Sequence, residues 1–124
     1  MARQAVVDAS VIVKWFLDEP ESLQALRLGD AHLAGDIQIV VPELAFLEVL
    51  NTLRLKGTAL SALTSLWNME FVIAPLSPEL LESAVKLAAQ HRLTVYDSLY
   101  LALSKALYCR LYTYDLQLLK AQDS

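Results

Sequence analysis

Cysteine, glycine, histidine and surplus positive charge are all scarce in this 124-residue chain, and each shortage removes a class of structure or chemistry. The single cysteine, Cys109, cannot close an internal disulfide, and its apolar and aromatic neighbours read as those of a buried thiol. Three isolated glycines leave no Gly-rich loop to cradle the phosphates of a nucleotide. His32 and His91 have no second histidine or cysteine at zinc spacing, so both read as surface or helix-end residues and zinc is disfavoured. Ten Lys plus Arg against fourteen Asp plus Glu leave a net charge of −4 and a pI near 5.0, which gives the whole chain no basic footprint for nucleic acid. The longest apolar stretches are broken by charge or proline short of the roughly 20 residues a membrane span requires, so no transmembrane helix is expected. From Met1 the chain passes through Arg3 and Gln4 into the strand-like Ala5-Val6-Val7 with no apolar export signal, and the expected location is the cytoplasm.

What is present is apolar: 56% hydrophobic and 19% charged residues describe a well-folded globule. No repeat or Gly/Ser linker divides it, so residues 1–124 are expected to form one domain. Short β-branched runs alternate with helical stretches. Strands are expected over Ala5–Val7, Ile37–Val41, Phe71–Ala74 and Cys109–Tyr112. Helices are expected over Val11–Leu17, Glu21–Leu33, Glu43–Lys56, Ala59–Trp67, Pro78–Gln90 and Val95–Leu107, with a last helical turn after Asp115. Strand-helix alternation implies a parallel sheet covered by helices on both faces. Ser77 before Pro78 and Thr58 before Ala59 read as helix caps.

Ligands of open parallel sheets bind beyond the carboxyl ends of the strands, so acids that follow strands come first. Asp8 follows Val6-Val7, and Asp115 follows the strand through Tyr112. Each also suits a helix N-cap, and Thr94 with Asp97 fits a capping box. Capping and metal binding are compatible, because a helix N-terminus keeps a carboxylate ionised. Glu48 lies in the middle of a helix where no cap is needed, and with Asn51 it forms a polar island between Leu44 and Leu55 on an otherwise apolar stripe. A carboxylate placed there must be paired, protonated or metal-bound. Four acids converging on one crevice would repel one another unless cations neutralise them, and oxygen-only ligation suits Mg²⁺ or Mn²⁺.

Four segments then match a known pattern. They are Val6-Val7-Asp8-Ala9-Ser10-Val11-Ile12-Val13-Lys14-Trp15-Phe16, Val41-Pro42-Glu43-Leu44 running to Glu48-Val49-Leu50-Asn51, Leu93-Thr94-Val95-Tyr96-Asp97-Ser98-Leu99-Tyr100-Leu101-Ala102, and Tyr112-Thr113-Tyr114-Asp115. In their order and spacing the chain resembles the PIN-domain family, specifically the VapC-like toxin ribonucleases of toxin–antitoxin pairs. The resemblance implies a three-layer α/β/α domain with a central parallel sheet of four strands, or five where the chain continues as in many relatives. It also implies that Asp8, Glu48, Asp97 and Asp115 are the catalytic and metal-binding quartet, with Ser10, Asn51 and Thr113 as supporting polar groups. The implied activity is endoribonucleolytic cleavage with one or two Mg²⁺ or Mn²⁺ ions, and the implied partners are RNA, a cognate antitoxin and a second copy of the chain. Lys14, Arg54 and Arg92 are candidates for contact with the RNA backbone, alongside Lys56 and Lys105. Ser98 stands where a small apolar residue is more usual.

An aspartyl-phosphate phosphatase would need an acid two residues after Asp8, where Ser10 stands, and a phospho-receiver would need adjacent acids after the first strand. The alternative that remains is a catalytically inactive PIN-like module that binds RNA or a protein partner.

Overall fold

The computed structural model describes residues 3–124; Met1 and Ala2, read above as the lead-in to the first strand, lie outside the described residues. In chain order the elements are β1 (Arg3–Val7), α1 (Ala9–Ile12), a 3-10 turn (Val13–Phe16), α2 (Ser22–Leu33), β2 (Ile37–Pro42), α3 (Leu44–Leu55) and α4 (Ala59–Asn68). They continue as β3 (Val72–Ala74), α5 (Pro78–His91), α6 (Val95–Ala106), β4 (Arg110–Tyr112) and α7 (Leu116–Gln122). The helix expected over Val11–Leu17 starts earlier, because Asp8 caps it, and tightens to 3-10 geometry after Ile12. Ser77 caps α5 as expected, accepting from the Leu80 amide, whereas Thr58 makes no cap bond to α4. Its hydroxyl donates instead to the Leu53 carbonyl at 3.4 Å, closing the end of α3.

The four strands are all parallel, in the order β3-β2-β1-β4. The chain steps outward from β1 to β3 and then returns to the far side of β1, so crossovers of one hand place α1–α4 on one face and α5–α6 on the other. The result is the three-layer α/β/α domain expected. The core lies on both faces of β1 and β2, where Val6, Val7, Ile39 and Val41 are fully buried. The α6 helix packs on β1, β2 and β4 and against α5. Every residue from Ser98 to Ser104 is buried, as befits a helix apolar on nearly all sides. Ser98 fits there because its hydroxyl donates to the Ala84 carbonyl of α5 at 2.6 Å.

β4 is an edge strand. Its Tyr112 carbonyl accepts from the Asp8 amide across the sheet. The Leu111 amide group is satisfied on the other side by the Gln122 side chain: Leu111 N–H donates to Oε1 at 2.8 Å, and Nε2 donates to the Leu111 carbonyl at 3.0 Å. One glutamine thus stands in for a residue of an adjoining strand.

His32 stands at a helix end, one of the two positions expected for it. It lies in the last turn of α2, but the ring is half-buried and bonded at both nitrogens. Nδ1 accepts from the Ile39 amide at 3.0 Å, which leaves the proton on Nε2 to donate to the Met69 carbonyl at 2.7 Å. The ring also packs on Phe71, 5.5 Å between centroids, in a cluster with Trp15 and Phe46. His32 therefore pins α2, β2 and the α4–β3 loop together. Replacing it with alanine strands a strand amide and a loop carbonyl, so His32→Ala should lower unfolding free energy by on the order of 1–3 kcal/mol in urea titration. A loss below a few tenths would contradict this role.

Candidate active site

The switch point of the sheet lies between β1 and β4, where the chain reverses its progress across the strand order, and the carboxyl ends of those strands open a crevice there. Asp8 follows β1 directly and is 5% exposed. One oxygen, Oδ1, accepts from the Ser10 hydroxyl at 2.6 Å and the Val11 amide at 3.3 Å. The other, Oδ2, accepts from the Thr113 hydroxyl at 2.5 Å. Each hydroxyl is itself held from the loop after β4: the Tyr114 amide donates to Ser10 Oγ and the Asp115 amide to Thr113 Oγ1, both at 3.0 Å. Two relays of amide to hydroxyl to carboxylate therefore fix Asp8 in place.

The other three acids enter from three different helices. Asp115 caps α7, its Oδ1 accepting from the amides of Gln117 and Leu118. Asp97 sits in the first turn of α6, where its amide donates to the capping Thr94 hydroxyl at 3.1 Å. Glu48 projects from the second turn of α3, and its Oε1 accepts from the Tyr100 hydroxyl at 2.6 Å. All four line one cleft of about 260 Å³, together with Ser10, Thr52 and Tyr100.

Burial pushes the carboxyl of Asp8 above its ordinary value despite four hydrogen bonds that pull it down. Glu48 is raised first by burial and then by the charges of Asp97 and Asp8, with the Tyr100 bond opposing. Asp97 is raised by burial and by Asp115, against the pull of Thr94. The Tyr100 hydroxyl is driven upward by burial and by Glu48, so it stays protonated as the donor in its bond to Glu48. The cleft is thus a desolvated cluster of like charges, and its all-oxygen donor set suits a hard divalent cation. Glu48 Oε2 and Asp115 Oδ2 have no protein donor among the described residues. As the side chains stand, however, no three Asp, Glu, His or Cys groups among the described residues close on a single point. The acids share a cleft without being drawn to a common centre.

Ser10 and Thr113, expected as supporting polar groups, both donate to Asp8. Asn51 does not line the cleft and is exposed; Thr52, four residues after Glu48, takes the adjacent position. The reason is the orientation of α3. Its buried stripe runs Ala45-Val49-Leu53, so the face expected through Leu44, Glu48, Asn51 and Leu55 is the stripe's flank, and Glu48 borders the core instead of sitting in it. Lys14 is not free to meet a phosphate: it pairs with Glu19 and Glu21 at 3.2 and 3.1 Å and lies 5.5 Å from the centre of the Tyr114 ring. Arg54 and Arg92 are exposed and do not line the cleft. Tyr100 escaped notice because a tyrosine in the apolar run Leu99–Leu103 reads as core. Its position three residues after Asp97, hence on the same side of the helix, was the available signal.

An open parallel sheet that gathers carboxylates from the end of one strand and from three helices at its switch point defines a class of α/β protein with an acidic, hydroxyl-braced cleft. The chain belongs to the PIN domain family, whose model matches residues 5–123. Among curated proteins none matches by sequence. Solved structures do. The crystal structure of Mycobacterium tuberculosis VapC20, a sarcin-ricin-loop-cleaving toxin, is similar with a TM-score of 0.76 at 16% identity over 94% of both chains. A toxin–antitoxin complex from Klebsiella pneumoniae gives 0.69 at 22% identity, covering 90% of this chain and 86% of that one. PAE2754 from Pyrobaculum aerophilum gives 0.72 at 22%, covering 98% and 87%. These likenesses establish the fold.

The raised carboxyls set a sign for pH dependence. Asp8, Glu48 and Asp97 keep their protons to higher pH folded than unfolded, so their ionisation removes stability as pH rises above the ordinary values of 3.8 for Asp and 4.5 for Glu. In metal-free buffer, Glu48→Gln and wild type should melt together at low pH, where Glu48 is protonated. The variant should gain increasingly over wild type as pH climbs past 4.5 towards neutrality. Thermal melts across that range test it, and a difference that shrinks with pH would refute the assignment.

Proposed function

We propose that the protein is a metal-dependent endoribonuclease, acting as the toxin of a type II toxin–antitoxin pair. The observation that carries this reading is the convergence of Asp8, Glu48, Asp97 and Asp115 on one cleft at the switch point, within a chain of the PIN family. Mutual repulsion of the acids in a desolvated crevice is the signature of a site built for cations. Asp8 and Asp97 are the principal ligands in this reading, Glu48 and Asp115 completing the set around one or two Mg²⁺ or Mn²⁺ ions. Such ions supply an activated water and stabilise charge on the scissile phosphodiester.

The chain's own groups do the positioning. Ser10 and Thr113 fix Asp8 in one orientation at the cleft wall. Tyr100 holds one oxygen of Glu48 and turns the other towards the opening. The α6 and α7 N-termini position Asp97 and Asp115 at the cleft. An antitoxin partner is supported by the likeness to a structure solved as a toxin–antitoxin complex. Both an antitoxin and a second copy of the chain are supported by the large apolar side chains exposed on α3 and α4, among them Leu47, Leu55, Leu60 and Trp67. No helix among the described residues is long and apolar enough to cross a membrane, and a cytoplasmic nuclease is the reading adopted.

One observation favours a second reading: because the acids do not close on a point, a PIN-like module that binds RNA or a partner without turnover fits the same cleft. Cleavage separates the two. Purified protein should fragment RNA in Mn²⁺, stop in EDTA, and lose about a hundredfold or more in Asp97→Asn. RNA that survives Mn²⁺ intact, with calorimetry still reporting metal uptake, would establish the binding module. Tyr100→Phe, which removes only the hydroxyl behind Glu48, should weaken Mn²⁺ binding by about tenfold in the same calorimeter while leaving the fold intact; unchanged affinity would remove Tyr100 from the site.

A further inference from the structure

A second cavity exceeds the acidic cleft in volume. A pocket of about 380 Å³ lies on the other side of the Asp8–Thr113 pair, bounded by α2, β4 and α7. Val11 and Thr113 line it, while their neighbours Ser10 and Asp115 line the cleft, so one wall separates the two. Its remaining polar and aromatic groups are Gln24, Arg27, Arg110, Tyr112 and Tyr114, over a floor of leucines. Arg27 and Arg110 are both exposed, and neither is in an ion pair among the described residues. In a chain of net charge −4, two unneutralised guanidiniums at one apolar pocket are a local reversal of sign.

We propose that this pocket is a nucleotide subsite that receives one base and its adjoining phosphates from the RNA strand beside the cleft. The proposal rests on the ribonuclease reading above and adds the place where the strand is gripped. The size suits one ligand unit of that kind. The Tyr112 ring, and the face of Tyr114 away from Lys14, offer stacking surfaces to a base whatever its identity; the Gln24 amide, whose oxygen accepts from the Tyr114 hydroxyl at 3.4 Å, can donate at a base edge, and the two guanidiniums match phosphate oxygens. The cleft itself has no cation to hold a polyanion, since Lys14 is committed to Glu19 and Glu21. An extended acidic peptide adding a strand at β4 is disfavoured by Gln122, which already occupies both Leu111 backbone groups that such a strand would need.

The test uses the whole chain and a fluorescein-labelled ten-nucleotide single-stranded RNA of mixed sequence, in EDTA so that no metal-dependent cutting intervenes. The double variant R27A/R110A changes exposed residues only, and circular dichroism with a thermal melt verifies its fold. By anisotropy it should bind the RNA about tenfold more weakly or worse. The salt dependence of log K should flatten by about 1.4, the amount two lost single-strand phosphate contacts predict. A 4-thiouridine version of the RNA should photo-crosslink to Tyr112 or Tyr114 in wild type. Unchanged affinity and slope would overturn the proposal, as would crosslinks confined to other residues or an acidic ten-residue peptide that binds this pocket more tightly than the RNA does. The two readings fail separately. Wild type that cuts no RNA in Mn²⁺ but loses RNA binding in R27A/R110A keeps the subsite and discards the nuclease. Wild type that cuts RNA with a KM the double variant does not raise discards the subsite alone.

Discussion

Asp8 spends both of its carboxylate oxygens inside the protein, and the architecture around the site follows from that. One oxygen is bound by Ser10 and the Val11 amide, which starts α1; the other is bound by Thr113, which follows β4. Its backbone amide meanwhile extends the β1–β4 pairing to the Tyr112 carbonyl. A single residue thereby terminates a strand, begins a helix and fastens the edge of the sheet. Buried polar groups of this kind are worth having only when fully satisfied, since an unpaired carboxylate so placed would be expensive. No buried side-chain oxygen or nitrogen among the described residues lacks a partner.

The same economy extends to the other acids. Asp115 and Asp97 stand at the starts of α7 and α6, where the orphan amides and dipole of a helix favour negative charge. The capping role and a ligand role are not competitors here: the helix terminus stabilises the ionised form that desolvation and like-charge repulsion disfavour. Glu48 has no terminus to rely on, and the Tyr100 hydroxyl supplies the donor in its place. Four like charges are thus held apart by four separate local devices, which is how a cluster that would otherwise repel itself survives in a folded chain.

The alternation of β-branched runs with helical stretches was sufficient to read the three-layer fold, because parallel strands leave few other arrangements. The acids that follow strands were legible for the same reason: Asp8 and Asp115 mark strand ends, and strand ends mark the crevice. Side-chain direction was less legible. Asn51 and Glu48 are three residues apart and so were assigned one face, yet the helix is rotated so that Thr52 meets the cleft and Asn51 meets solvent. That rotation is set by how Ala45, Val49 and Leu53 pack on the sheet, a tertiary fact with no local signal. The bonds of His32 were illegible for a related cause, since its partners, the Ile39 amide and the Met69 carbonyl, belong to backbone elsewhere in the chain. Tyr100 was hidden by its own hydrophobicity.

The bond from Thr113 to Asp8 joins residues 105 positions apart, and β4 docks on β1 only after nearly the whole chain has been made. Contacts so distant in sequence form late, because the intervening chain must be ordered before they are rewarded. During synthesis from the amino end, β1, β2 and β3 can assemble while Asp8 still lacks the Thr113 hydroxyl and the cleft lacks Asp115. The acidic centre is therefore completed by the segment farthest in sequence from the residue at its heart, and any chain cut short of Thr113 and Asp115 carries an Asp8 without its bracing hydroxyl.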